Sequence, residues 1–153
     1  MNATTQTRQA ILEALDAARE ATPHLPALDI ARRLEISEGE LQAARLGRDV
    51  VTLPLSPHAL ASRFHRLGEV KALTRSRHAV LEQHGQYPVL RGSEQAGLLL
   101  APGGLDLRLH LAQWHWACLI RDRRPRAGDD SPERLSLQVF NRHGIALHKA
   151  FSL

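Results

Sequence analysis

The chain has a single cysteine, only two lysines and no apolar run of the length a bilayer demands. Each scarcity excludes something. Cys118 on its own can neither close an internal disulfide nor anchor a cysteine-rich metal site, which agrees with a reducing compartment, and it reads as a core residue. A membrane helix takes roughly 20 consecutive apolar residues, and none are found; the opening MNATTQTRQA also lacks the apolar stretch of a secretory signal. The sequence therefore predicts a cytoplasmic protein with no membrane insertion. With lysine confined to Lys71 and Lys149, the formal charge of +4 is carried by arginine. The guanidinium fork suits carboxylate or phosphate partners. Acidic residues are interspersed along the chain, so no single basic face for nucleic acid is evident. The nine histidines, at 24, 58, 65, 78, 84, 110, 115, 143 and 148, form no tract of the kind that binds metal nonspecifically.

A length of 153 residues with 43% hydrophobic content fits one domain, 1–153, with a real core. Residues 6–21 place Ile11, Leu12, Leu15 and Ala18 at helical spacing, an amphipathic helix ending near Pro23. LDIARRLEISEGELQAARLG then reads as two short helices joined at Ile36-Ser37. Ser37 is the N-cap of the second, Glu40 completes a capping box, and Gly47 follows its end. A fourth helix is predicted from Ser56 to Leu67, with Pro57 in its first turn and Gly68 as its stop. Residues 1–68 are thus mainly helical.

From Glu69 to the end, 69–153, the pattern changes to short strands: EVKALTR, HAVLEQHGQY, AGLLLAP, LDLRLHLAQWHWACLIRD, LSLQVF and IALHKAF. Pro102-Gly103-Gly104 and Asn141-Arg142-His143-Gly144 read as hairpin turns, and DRRPRAGDDSPER as an exposed polar loop. Helices followed by strands predict an α+β domain, a helical subdomain packed on an antiparallel sheet. The helix pair around Ile36-Ser37 has the spacing of a DNA-binding helix-turn-helix. Its second helix, however, begins Glu38-Gly39-Glu40 and would bring carboxylates to the phosphates, so a packing role against the sheet is the better reading.

Four separated blocks, ELQAARLG, LGEVKALTRSRHAVLEQHGQY, GLLLAPGGLDLRLHLAQW and LSLQVFNRHGIALHKAF, occur in this order over about residues 28–151. The series resembles the N-terminal repeat of the HemS/ChuS haem-degrading and haem-trafficking family and, more distantly, the single-repeat ChuX/HutX proteins. The resemblance implies a split-barrel-like sheet flanked by helices, with haem in a cleft against the sheet. It also implies a role in bacterial iron acquisition: haem is received after uptake and is carried, buffered or transferred, with a haem importer or a haem-degrading protein as the partner. Two alternatives stand beside carriage, a haem-degrading enzyme driven by an external electron donor and a regulatory or interaction domain without ligand.

Haem needs an iron ligand, cations for its propionates and an apolar surround. In LDLRLHLAQW, alternation puts Asp106, Arg108 and His110 on one face and Leu105, Leu107, Leu109 and Leu111 on the other. Arg108 matches an arginine that, by the resemblance, contacts haem from the distal side; His110 stands where the family has an aromatic residue. In RSRHAVLEQHGQY, Arg75 and Arg77 offer forked donors for propionates, while His78, His84 and Tyr87 offer imidazole and phenol groups. Leu81 occupies a position where the family often carries histidine. His84 and His110 are the candidate iron ligands. By the resemblance, the principal iron-binding histidine of two-repeat relatives belongs to a second repeat that this sequence does not contain, which argues against catalytic haem breakdown; the C-terminal helix common in relatives is also lacking, which would leave an apolar sheet face uncovered. A homodimer formed through the sheet, burying apolar side chains such as Leu98, Leu100, Trp114 and Trp116, is the expected compensation.

Overall fold

The computed structural model describes residues 5–76, 78–123 and 133–153. The helical part comprises α1 (Thr5–Ala21), α2 (Ala27–Arg33), α3 (Glu38–Ala44) and α4 (Pro57–Ala61). The starts of α3 and α4 have their expected chemistry. Ser37 Oγ accepts from the Glu40 amide at 3.0 Å while Glu40 returns a carboxylate to the Ser37 amide at 2.7 Å, so the capping box is closed at both ends. Ser56 caps α4 in the same manner, accepting from the Ala59 amide. The helix expected to run from Ser56 to Leu67 is broken, because α4 lasts only five residues and a separate 3-10 turn follows at Phe64–Arg66. The break lets Phe64 turn into the core, where it is 1% exposed.

The strands are β1 (Val50–Thr52), β2 (Glu69–Arg75), β3 (Val80–Gln86), β4 (Arg91–Gly92), β5 (Ala96–Leu99), β6 (Leu107–His110), β7 (Trp116–Asp122), β8 (Arg134–Phe140) and β9 (Ala146–Ser152). They form an antiparallel six-stranded sheet in the order β1-β7-β8-β9-β2-β3 and a three-stranded sheet in the order β4-β5-β6. The α+β class is as expected. Both hairpins fall where the turn residues put them, between β5 and β6 and between β8 and β9. Residues 124–132 of the expected polar loop lie outside the described residues.

Strand register together with burial assigns each face. The inner face of the small sheet, with Leu99, Leu107 and Leu109, packs on Val70, Ala72, Leu137, Val139 and Ala150 of the large one; Leu105, Leu111, Tyr87, Phe64 and Trp114 complete this core. The opposite face of the large sheet, with Val50, Cys118, Ile120 and Phe140, receives Leu46. Burial pushes the Cys118 thiol up to about 12, which keeps it protonated and inert.

Helix α3 is inserted, not displayed. Glu38, Gly39, Leu41, Gln42 and Ala44 are all buried, and Glu38 pairs with Lys149 of β9. A helix sunk on this many sides has no surface to lay in a DNA groove. At its start, the Gly39 amide donates to the Gly144 carbonyl at 2.8 Å, and a Cβ on Gly39 would lie 2.7 Å from Gly144 Cα. Glycine is required there because two backbones touch.

Candidate functional site

The outer face of the three-stranded sheet gathers Arg91, Arg108 and His110, exposed groups of the kind a ligand could engage. Register pairs Leu98 with Arg108 on one side and with Arg91 on the other, and Ala96 with His110. Directly opposed residues of an antiparallel pair share a face, so Arg91, Leu98 and Arg108 form one row across the sheet, with Ala96 and His110 alongside. The inward direction is fixed independently, since Gly97 faces Leu90, Leu109 and Leu111. Arg108 and His110 are exposed, Leu98 is half-buried and Leu100 is 48% exposed. The face is thus an aliphatic centre between guanidinium groups.

Among the described residues the side chains of Arg108, Arg91 and His110 make no hydrogen bond or ion pair, and Asp106, two residues from Arg108 on the same side, does not engage it.

The other sequence candidates are placed elsewhere. His84 sits opposite Lys71 in the β2–β3 register and lies 3.4 Å from Glu82, which Lys71 also approaches at 3.5 Å. Arg75 lies on that same side, 4.0 Å from the buried Glu38 beside Lys149. This side of the large sheet faces away from the small sheet, so Arg75 and His84 project from the opposite surface of the sandwich to Arg108 and His110. One haem lying on the small sheet does not meet both sets. His78 is exposed in the β2–β3 turn, its amide donating to Ser76 Oγ. Arg77 lies outside the described residues.

Tyr87 requires a correction. It is 3% exposed, and its hydroxyl lies 2.6 Å from His148 Nε2. Burial raises the phenol well above its ordinary range and keeps it protonated. His148 Nδ1 shares a second hydrogen bond with Thr74 Oγ1 at 3.1 Å, so both ring nitrogens have partners inside the core. Phe64 stacks on the imidazole at 5.9 Å between ring centres. The phenol therefore has no part in an open ligand site.

This buried relay carries a pH dependence. Burial lowers His148 from 6.5 to about 4. Above the ordinary histidine value the imidazole is neutral in both folded and unfolded chains. Between about 6.5 and about 4 the unfolded chain takes up a proton that the folded one refuses, so stability falls as pH falls through this window. Urea midpoints at pH 7.5 and pH 5 are expected to show the loss, and a His148→Leu variant to show a smaller one. Equal losses in the two proteins would remove His148 as the cause.

Arg91 is the member of the row that the sequence did not offer. Its strand has two residues, too few for periodicity to register. A signal was nevertheless available, because RGSEQAG brackets a polar Ser-Glu-Gln turn with Gly92 and Gly97, a hairpin pattern. A separate polar cavity of about 320 Å³ is lined by Gln113, Trp114, His115, Asn141, Arg142 and His143. It lacks the apolar lining that a porphyrin requires.

With this geometry in view, comparison with known proteins assigns the family. The family described as the haemin-degrading HemS.ChuX domain matches residues 35–153. The chain belongs to the HemS/ChuX family. It is similar to the hemin transport protein HmuS of Yersinia pestis, 40% identical over 134 residues that make up 88% of this chain and 37% of the relative. Among solved structures it resembles the heme degrading enzyme ChuS of Escherichia coli O157:H7, with a TM-score of 0.85 and 32% identity over 95% of this chain and 42% of ChuS. It also resembles holo-PhuS, a heme-binding protein from Pseudomonas aeruginosa, with a TM-score of 0.84 and 36% identity over 94% of this chain and 40% of PhuS. The chain thus spans well under half the length of these relatives. No helix among the described residues is long and apolar enough to cross a membrane.

Proposed function

We propose that this chain binds haem on the outer face of the three-stranded sheet and acts in the cytoplasm as a haem carrier of bacterial iron acquisition. The observation that carries the reading is the row of Arg91, Leu98 and Arg108 beside His110, an aliphatic floor edged by cations that have no partner among the described residues. A porphyrin presents the complementary surface, an apolar plane with carboxylates at its margin and a metal that accepts imidazole. Membership of a family whose relatives include a hemin transport protein and a heme-binding protein supports the same ligand.

A sheet face covers only one side of a flat ligand, whereas such ligands are usually buried over most of their surface. We propose a second copy of the chain as the cover, the two sheets closing face to face. The surface available to this pairing is narrower than the sequence suggested. Trp114 belongs to the core, stacked near Phe64, and Trp116 stacks on Phe140 and donates its indole N–H to Thr52, which leaves Leu98 and Leu100.

Titration of the purified protein with haemin, followed at the Soret band, tests the binding. A sharpened and shifted band that saturates near one equivalent per protomer or per dimer is expected. A featureless, nonsaturating titration like that of an unrelated basic protein would end the haem reading. Light scattering on the same samples should give the mass of a dimer, and a strictly monomeric mass across a dilution series would remove the second copy from the proposal.

A further inference from the structure

We infer that Arg91 is a second ligand-binding arm of this face, one that holds a propionate carboxylate of the porphyrin while Arg108, on β6 two residues from the candidate iron ligand His110, works nearer the iron. The inference rests on the haem reading and deepens it. Two strand spacings, about 10 Å, separate the β4 and β6 lines. A ligand touching both arginines therefore has to reach across β5, and what it crosses is Leu98. That sequence of cation, aliphatic floor and cation demands a ligand that is apolar in its middle and anionic at an edge.

The local backbone holds Arg91 in this place. Gly92 has a φ of +114°, and a Cβ there would meet the Ala96 carbonyl oxygen at 2.4 Å. The glycine lets β4 close tightly on β5. The connecting turn is closed by the Ser93 amide donating to the Ala96 carbonyl at 2.9 Å, and Ser93 Oγ accepts from the amides of Gln95 and Ala96. On the other side of Arg91, Leu90 is anchored inward against Gly97. A guanidinium on an otherwise exposed edge is thus fixed at its base by three local constraints. It has no ion pair among the described residues to hold it elsewhere.

Haemin and haemin dimethyl ester, in which both propionates are neutral, distinguish the two arms. Wild type, Arg91→Gln and Arg108→Gln are titrated with each ligand. Arg91→Gln is expected to weaken haemin binding by roughly tenfold or more and to leave the ester unchanged, as a lost charge-assisted contact would. Arg108→Gln is expected to weaken both ligands. Equal weakening of haemin and ester by Arg91→Gln, or no effect on either, would overturn the role of Arg91 while leaving haem binding itself intact. Failure of the wild type to bind haemin saturably would instead overturn the functional reading and this inference together.

Discussion

Replacing Arg108 with alanine is expected to weaken haemin binding ten- to hundredfold. Arg108 is exposed on β6, among the described residues nothing competes for it, and its neighbours on the face are Leu98 and His110. A charge-assisted hydrogen bond to an iron-bound water is worth about 1.5 to 3 kcal/mol, which is the stated loss in affinity. Because the side chain points away from the leucine core, the substitution should leave the denaturation midpoint near that of the wild type. Soret titration of the variant checks it. Unchanged affinity together with an unchanged Soret position would show that Arg108 does not touch the ligand.

A larger effect, on stability, is expected at the junction between α3 and the sheet. Glu38 is 3% exposed, and its partners are Lys149, which binds it directly, and Arg75 at 4.0 Å. Lys149→Met leaves the Glu38 carboxylate buried with only the more distant guanidinium, a situation that costs about 3 to 5 kcal/mol. Removing the charge as well, in the double variant Glu38→Leu/Lys149→Met, should recover most of the loss, because apolar replacements of a buried pair are often tolerated. Urea denaturation of the two proteins decides the matter. If the double variant is no more stable than Lys149→Met, the single substitution acts through lost packing and not through a stranded charge.

The difference between these two arginine and lysine sites explains what could be read in advance. Alternation alone showed that Arg108 and His110 share a face opposite the leucines, since the spacing of a strand dictates it. The capping box at Ser37 and Glu40 was legible for a similar reason, as both partners lie within one turn. Arg75 looked equally suitable for a propionate, yet its neighbour Glu38 is 37 positions away and only the docking of α3 on β9 brings them together. Tyr87 and His148 are 61 residues apart, and nothing local announces that one consumes the other. The block LDLRLHLAQWHWACLIRD read as continuous, but a 3-10 turn at Leu111–Gln113 divides it, and β6 and β7 join different sheets. Short strands escaped notice altogether: β1 has three residues and β4 two. Arg91 was missed for that reason, and His84 was assigned no face because its direction follows from the β2–β3 register.

The strand order has a consequence for how the chain comes into being. In the large sheet, β2 near residue 70 lies between β3 and β9, and β9 spans 146–152. While the ribosome is still adding the middle of the domain, the β2–β3 hairpin therefore has one finished flank and one raw one, with Val70 and Ala72 waiting for partners. The small β1 strand likewise waits for β7, some 65 residues downstream. Contacts of such long sequence separation make for slow folding and leave hydrophobic hairpins uncovered during synthesis. Vectorial growth from the amino end thus leaves the β9-facing edge of β2 unpaired until residues 146–152 have been made.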